Sequence, residues 1–318
     1  MPRAIGANCR LLMIPEATYG TAPAGDWRRL PFLSCDLGAE QPLLDADVIG
    51  VGSSRDPAAP FLDTVTVQGQ AVVPVDLVNI GHWLRLLLGV PTTTGTSPNF
   101  VHSFGSGAAA LPSNSIEIGY PDVPSYDLCT GVRADTLELD FSPTGPATAT
   151  IGLMGQGSTR GASSAGGTPT SAAYTAFNKA QGSINRSGSA LAQVTGAKLS
   201  FTNSVETVRT IRADRKIEGA DPGICRATGQ VTVRFADTTL LTQAQNGSSA
   251  DFAFAYTIDA NRSLTFTLHE VYLALAKTPI EGPGGIEAAF DFRAAYNATA
   301  GCMMTVALKN QTAGTEYA

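Results

Sequence analysis

Side chains able to do chemistry are few in this 318-residue chain, and their spacing suits none of the common reactions. The three histidines, His82, His102 and His269, belong to no HExxH helix and to no H-x-E followed by CxxC, the spacings that place ligands around zinc. Cys9, Cys35, Cys129, Cys225 and Cys302 are scattered, odd in number and without a CxxC pair. Free thiols, buried or half-buried, are expected from them, not a disulfide framework. Gly105-Ser106-Gly107 does not make a nucleophile elbow. The run Gly155-Gln156-Gly157-Ser158-Thr159-Arg160 fails the dinucleotide fingerprint at its third glycine and leads into low-complexity sequence, not a helix. No Walker lysine follows Gly282-Pro283-Gly284-Gly285, which reads as a turn between strands. Asp45/Asp47 and Glu138/Asp140 are carboxylate pairs, but Glu138 and Asp140 at i, i+2 of a strand share one solvated face. Glycoside hydrolysis needs two carboxylates across a groove, and no EF-hand loop offers a calcium site. The sequence predicts a protein that is not an enzyme, with no catalytic residue, no cofactor and no metal.

Composition points the same way. Charged residues make up 15% of the chain and hydrophobic ones 43%, with abundant Gly, Ala, Ser and Thr. Low charge suits a surface covered by copies of the same protein, because charge is depleted from the centre of permanent interfaces. The net charge of −6 argues against a protein that grips nucleic-acid phosphates, but is compatible with a conduit through which DNA slides. The apolar run from Ile80 to Val90 is broken by Gly81, His82, Arg85 and Gly89, and is too short and polar to span a bilayer. Residues 1–6 lack the apolar core of a secretory signal, so the chain is expected to be made and kept in a cytoplasm, without a membrane partner.

The elements are mainly strands. Period-two alternation runs through Thr64-Val65-Thr66-Val67 and Ala71-Val72-Val73, then Thr136 to Phe141, Ala147 to Ile151 and Thr228 to Phe235. It returns in Ser263 to Thr267, Ala288 to Phe292 and Met304 to Leu308, with Gly, Pro, Asn and Asp between runs, the pattern of antiparallel sheets with one buried face. One helix is distinct: Asp76 is its N-cap, Leu77, Ile80, Leu84, Leu87 and Leu88 form its apolar stripe beside Trp83, and Gly89 stops it. His82 on this helix reads as a surface or interface residue. Residues 1–32 read as an extended arm that finds its partner on the domain body or on a neighbouring subunit. Residues 155–192, rich in Gly, Ser and Ala, read as linker or insertion.

The two halves match in order. Leu33-Ser34 answers to Leu199-Ser200, Asp56-Pro57 to Asp221-Pro222, Gly69-Gln70 to Gly229-Gln230, and the N-cap Asp76 to Asp237. A second helix carries Leu240, Leu241 and Ala244 and ends at Gly247. Farther on, Ser115-Ile116 is laid against Ser263-Leu264, Leu139-Asp140-Phe141 against Phe290-Asp291-Phe292, and Thr150-Ile151 against Thr305-Val306. Repeated order at this length predicts a duplication: two tandem β-sandwich domains of tube type, residues 33–154 and 193–318, each with one flanking α-helix. Three such chains would form a ring of pseudo-six-fold symmetry.

Several phrases resemble the major tail, or tail tube, proteins of long-tailed, non-contractile bacteriophages. They are Pro15-Glu16-Ala17-Thr18-Tyr19-Gly20-Thr21, the segment from Asp76 to Gly89 ending in Leu-Leu-Gly, and Pro279-Ile280-Glu281-Gly282-Pro283-Gly284-Gly285-Ile286 with Leu308-Lys309-Asn310 behind it. The resemblance implies a virion tail location, after assembly in the bacterial host's cytoplasm. It implies strands of neighbouring domains joined in an inner β-barrel around a DNA channel, rings stacked through long loops and terminal arms, and other tail proteins at the tube ends. Fused duplicates of that family form trimeric rings. By analogy, residues 40–60 and 205–223 are candidate ring-stacking loops, with Asp45, Asp47, Arg55, Arg209, Arg212, Asp214 and Arg215 as their charged residues. Glu16 and Tyr19 are candidates for an inter-subunit arm. The same loops also read as ordinary solvated loops. Two other functions fit less of the sequence. A tube protein of a contractile injection system would share the fold and be found with a sheath. A carbohydrate-binding or hydrolysing β-sandwich would need exposed aromatic platforms, and the chain has two tryptophans, Trp27 and Trp83.

Overall fold

A computed structural model describes residues 3–49, 56–191, 193–280 and 282–318. In chain order its first strands are β1 (Arg10–Pro15), β2 (Arg28–Arg29), β3 (Ser34–Cys35), β4 (Gly38–Glu40), β5 (Leu43–Leu44), β6 (Phe61–Leu62) and β7 (Thr66–Pro74), followed by helix α1 (Asn79–Leu88). Then come β8 (Thr92–Thr96), β9 (Asn99–Gly105), β10 (Asn114–Tyr120), β11 (Ser125–Phe141), β12 (Thr148–Gly155), β13 (Gly157–Gly161) and β14 (Thr170–Ser171). The later strands are β15 (Gly182–Arg186), β16 (Ser189–Ala190), β17 (Val194–Thr202), β18 (Glu206–Val208), β19 (Gly219–Asp221) and β20 (Arg226–Arg234), before helix α2 (Thr239–Asn246). Strands β21 (Ala250–Asp259), β22 (Arg262–Leu273), β23 (Glu287–Ala294) and β24 (Met304–Asn310) complete the set.

Apart from the two-stranded pairs β5–β6 and β18–β19, these strands form one central and two outer sheets. The central sheet runs β3/β4–β7–β12–β11–β17–β20–β23–β22, antiparallel throughout. One outer sheet runs β14–β2–β1–β10–β11–β13, with the β14–β2 contact parallel. The other runs β16–β15–β21–β22–β24–β9–β8. Two strands are long enough to serve two sheets. Tyr126–Thr130 of β11 pair with β13 while Thr136–Phe141 pair with β17, and the strand changes register at Ala134/Thr136, where a bulge lets it bend. β22 divides in the same way, Ser263–Leu268 pairing with β24 and Val271–Leu273 with β23.

The alternation read from sequence is the alternation observed. Ala149, Ile151 and Leu153 of β12, Ala288, Phe290 and Phe292 of β23, and Met304, Val306 and Leu308 of β24 point inward and are buried. One hydrophobic cluster extends through both halves of the chain. Its aromatic centre crosses between them: the Phe141 ring stacks on Tyr256 at 4.8 Å and lies 5.4 Å from Phe254, which is 5.7 Å from Phe292. Helix α1 buries its stripe as expected, and Asp76 Oδ1 accepts the Ile80 N–H at 2.9 Å. Asp237 Oδ1 accepts the Thr239 N–H at 2.8 Å in front of α2, which Gly247 ends in the left-handed conformation.

Three expectations change or narrow. His82 is not on the surface: it is 8% exposed, with its ring edge-on to Tyr317 at 5.1 Å, under the C-terminal turn. Residues 3–32 are more than an arm: they settle on the domain body, one of the two partners expected for them, and join its sheets. β1 lies between β10 and β2, with Leu11, Leu12, Met13 and Ile14 buried and Trp27 at 1% exposure. Of the two readings of the Gly/Ser/Ala-rich segment, linker or insertion, a bare linker does not describe residues 155–191, where β13, β14, β15 and β16 all join sheets. Ladder pairing uses backbone N–H and C=O groups, so a segment of small residues can be a strand wherever a neighbour supplies the ladder.

The centre of the sheet tolerates no bulk at Gly69. A Cβ built there would come within 2.6 Å of the backbone N and Cα of Leu37. Gly69→Ala is therefore predicted to destabilise the fold by about 1–3 kcal/mol, through forced backbone movement between β4 and β7. Thermal unfolding checks this, with Gly105→Ala, which meets nothing within 4 Å, as the neutral comparison.

Candidate assembly surfaces

Antiparallel order fixes which ends of the central strands lie together. β7 and β20 are separated by β12, β11 and β17, so they run in the same direction. The segments entering them therefore share one rim of the sheet, and α1 and α2, which follow them, share the other. Each entering segment is a two-stranded ribbon, β5–β6 before β7 and β18–β19 before β20.

The two ribbons differ in chemistry. On β5–β6, Leu43, Leu44, Phe61 and Leu62 are 64%, 40%, 52% and 46% exposed, and Val48 and Ile49 are exposed beside them. Asp45 and Asp47 are exposed between these apolar side chains, and Arg55 lies outside the described residues. On β18–β19 the charges are used within the ribbon. Arg212 makes a two-bonded fork with Asp214, both contacts 2.9 Å, and reaches Glu218 with its third nitrogen. The Arg212 guanidinium holds the Asp214 carboxyl down at about 2. Arg209 donates to Thr64 Oγ1 at 3.3 Å, and the Arg215 carbonyl accepts the Val65 N–H at 3.0 Å, so this ribbon is tied to the segment leading into β7. Beneath it Val205, Ile217 and Ala220 pack with Leu111 in a small separate core, while Ile211 is fully exposed at the tip.

Glu16 and Tyr19, the candidates for an inter-subunit arm, have partners within the chain. The Glu16 carboxylate accepts four hydrogen bonds: from Ser113 Oγ and Ser115 Oγ at 2.7 Å each, from the Gly131 N–H at 2.8 Å and from the Gly20 N–H at 2.9 Å. Tyr19 lies under the Arg133 guanidinium, 4.9 Å from the ring centre, and Arg133 contacts Ala220 and Asp221 of the β18–β19 ribbon. The Glu-x-Thr-Tyr-Gly-Thr phrase is thus an internal clasp that holds the first strand to β10 and β11. Three of its four donors are far from Glu16 in sequence, and nothing local signals their pairing.

The exposed face of the central sheet is polar across its five middle strands, β12, β11, β17, β20 and β23. Thr150, Glu138, Ser200, Thr228 and Arg293 form one cross-strand row, and Thr148, Asp140, Lys198, Gln230 and Asp291 form the next. Charges in these rows are neutralised nearby. Lys179 Nζ lies 2.6 Å from Asp140 and holds its carboxyl below the usual carboxylate range, and Gln230 donates to Asp291 at 2.7 Å. The histidines serve the fold: His102 meets Thr93 Oγ1 at 2.9 Å and Asn310 Oδ1 at 3.0 Å, and His269 meets Thr305 Oγ1 at 2.7 Å. Among the described residues no three His, Cys, Asp or Glu side chains converge as metal ligands, and no helix is long and apolar enough to cross a membrane.

The Glu16 clasp generates a prediction. Glu16→Ala leaves four donors without their acceptor and should cost about 3 kcal/mol, at the upper end for a single site. Limited proteolysis within residues 16–26, together with thermal unfolding, measures it. Unchanged resistance and melting would show that the clasp does not hold this segment.

Residues 6–294 match the family model described as phage tail tube protein. No curated protein matches the chain.

Proposed function

The chain belongs to the phage tail tube protein family and is a structural protein of the virion tail; from that premise we propose that it is the repeating subunit of a long, non-contractile tail tube, stacked in trimeric rings around the channel for the genome. The observation that carries this reading is the central sheet: eight strands drawn from both halves of one chain, with one face buried and the other polar across its five middle strands.

We read the chain as two tandem units, supported by the order of pairing. β1–β10–β11–β13 has its counterpart in β15–β21–β22–β24, and β4–β7–β12–β11 in β17–β20–β23–β22. In both, a ribbon precedes the Gly-Gln strand and a helix follows it. Gly69 opposes Leu153 as Gly229 opposes Phe292. On this reading the first unit begins at β1 and ends at β13, wider than residues 33–154, and the second begins at β15. Pairing also sets β10 against β21 and β11 against β22. The later sequence matches, which laid Ser115 against Ser263, fall one strand out.

Three copies would supply 24 strands. At about 4.8 Å per strand and a tilt near 40°, a closed barrel of that size is roughly 45–50 Å across its backbone, room for a duplex about 20 Å wide inside the side chains. Hydroxyls, amides and locally neutralised charges suit a wall that DNA passes without being gripped, since tight phosphate binding needs a surplus of cations. The ribbons at the rim are the candidates for contact with the next ring, and other tail proteins would meet the tube at its ends. A head-to-tail contact that does not close on itself extends as a filament. In this reading the stacking energy comes from Leu43, Leu44, Phe61 and Leu62, more than from the charged residues around them. The contractile alternative has the same subunit geometry and differs by a sheath around the tube.

Leu44→Asp combined with Phe61→Asp is expected to leave the fold intact and to abolish tubes seen by negative-stain electron microscopy, with free rings or single chains in their place. Tubes of unchanged length and abundance would overturn the stacking role of this ribbon.

A further inference from the structure

We infer that copies of this chain join by repeating, between molecules, the strand junction that each already makes between its own halves: residues 275–280 of one copy pair antiparallel with residues 35–40 of the next. This rests on the tube reading above and specifies where one subunit ends and the next begins.

The internal junction is the template. Thr136–Phe141 of β11 pair residue by residue with Thr202 back to Ala197 of β17, and β17 pairs on its other side with β20. The first edge of the central sheet has the same surroundings as β17. Cys35 opposes Ala71 and Gly38 opposes Gln68 of β7, just as Ala197 opposes Val231 and Ser200 opposes Thr228 of β20. β17 is covered by β11, whereas among the described residues no strand lies outside β3 and β4.

The opposite edge has the surroundings of β11. β22 pairs with β23 through Leu273, and the Ala274 N–H adds one more bond to the Asp291 carbonyl at 2.8 Å. From there residues 275–280 have no strand partner among the described residues, and Leu275 and Ile280 are 65% and 77% exposed. An open edge of this kind is a template for another strand. The bulge sets the register. In β11 buried Ala134 is followed, three residues on, by buried Leu137; beyond β22 buried Leu273 is followed, three residues on, by Ala276, which packs on the core. Ala276 therefore takes the place of Leu137. Carrying the internal register across places Leu275 opposite Glu40, Lys277 opposite Gly38 and Ile280 opposite Cys35.

Charge agrees with this register. Lys277 would sit on the same face as Asp36 and Glu40, diagonal to both, and all three are exposed in the single chain. The internal junction has the opposite arrangement, with Lys198 on the β17 side facing Asp140 on the β11 side. A chain therefore distinguishes its covalent junction from its intermolecular one by the sign of the charges facing each other.

Directly opposed residues in an antiparallel pair have Cα atoms about 4.5–5.5 Å apart, within the span a disulfide bridges. Ile280→Cys in assembled protein is thus expected to form, on mild oxidation, a disulfide with native Cys35 of the next copy. Covalent dimers and trimers should appear on non-reducing gels and disappear in the Cys35→Ser background. Tubes that assemble normally but give no Cys35-dependent cross-link would overturn this junction while leaving the tube reading intact. Failure of the unaltered protein to form any ring would overturn both. If Ile280→Cys folds poorly, charge reversal provides the second route. Lys277→Glu should weaken ring formation at least tenfold at low salt, and Glu40→Lys in the same chain should restore it. Unchanged assembly of Lys277→Glu would contradict the register.

Discussion

Backbone pairing at the edges of the central sheet is the constraint on which the rest of this structure depends. A sheet with one buried face still presents unpaired N–H and C=O groups along both outer strands, and these must be covered by chain, by solvent or by another molecule. Within the chain the requirement is met once, where β11 meets β17 and converts two four-stranded sheets into one of eight strands. The aromatic cluster of Phe141, Tyr256, Phe254 and Phe292 sits behind that junction, so packing and pairing reinforce each other. The hairpin β8–β9 adds a further tie by extending the outer sheet of the second half through β24. In the ring proposed above, this covalent pair of halves would be a preassembled part.

Much of the fold was legible because a strand with one buried face writes period two into the chain. β12, β23 and β24 were readable for that reason, and α1 through its stripe and its Gly89 stop, although its N-cap is Val78, two residues after Asp76, whose carboxylate accepts the Ile80 N–H. What escaped reading depends on contacts between distant residues. Residues 155–192 have a linker's composition, yet β13 is held by Tyr126–Thr130 of β11 and β15 by Phe252–Tyr256 of β21, and neither partner can be inferred from glycine and serine content. Glu16 is a similar case, because its four donors come from residues 20, 113, 115 and 131. His82 lies on the helix beside the apolar stripe, but the C-terminal turn covers it, with Glu316 3.4 Å from its Nε2.

The proposed assembly surface is built from loops of two different chemistries. The loops before the two Gly-Gln strands do stand at one rim of the sheet. Their charges drew attention, yet Arg212, Asp214 and Glu218 satisfy one another within their own ribbon, and exposed pairs of that kind contribute little to association. On the other ribbon the signal is apolar: Leu43-Leu44 and Phe61-Leu62, on either side of a Pro-, Asp- and Gly-rich stretch of sequence, form a strand pair too small to bury its own side chains. An apolar patch exposed on a single chain is most simply explained by the partner that covers it.

In the proposed tube, three copies of the chain build one ring, with the central sheet continuous around it. Cryo-electron microscopy of tubes assembled from the purified protein tests it most directly. The predicted map has three-fold rings of 24 inner strands, in which covalent junctions between β11 and β17 alternate with intermolecular junctions at residues 275–280 and 35–40. Rings of six chains, or an inner wall interrupted between subunits, would contradict it.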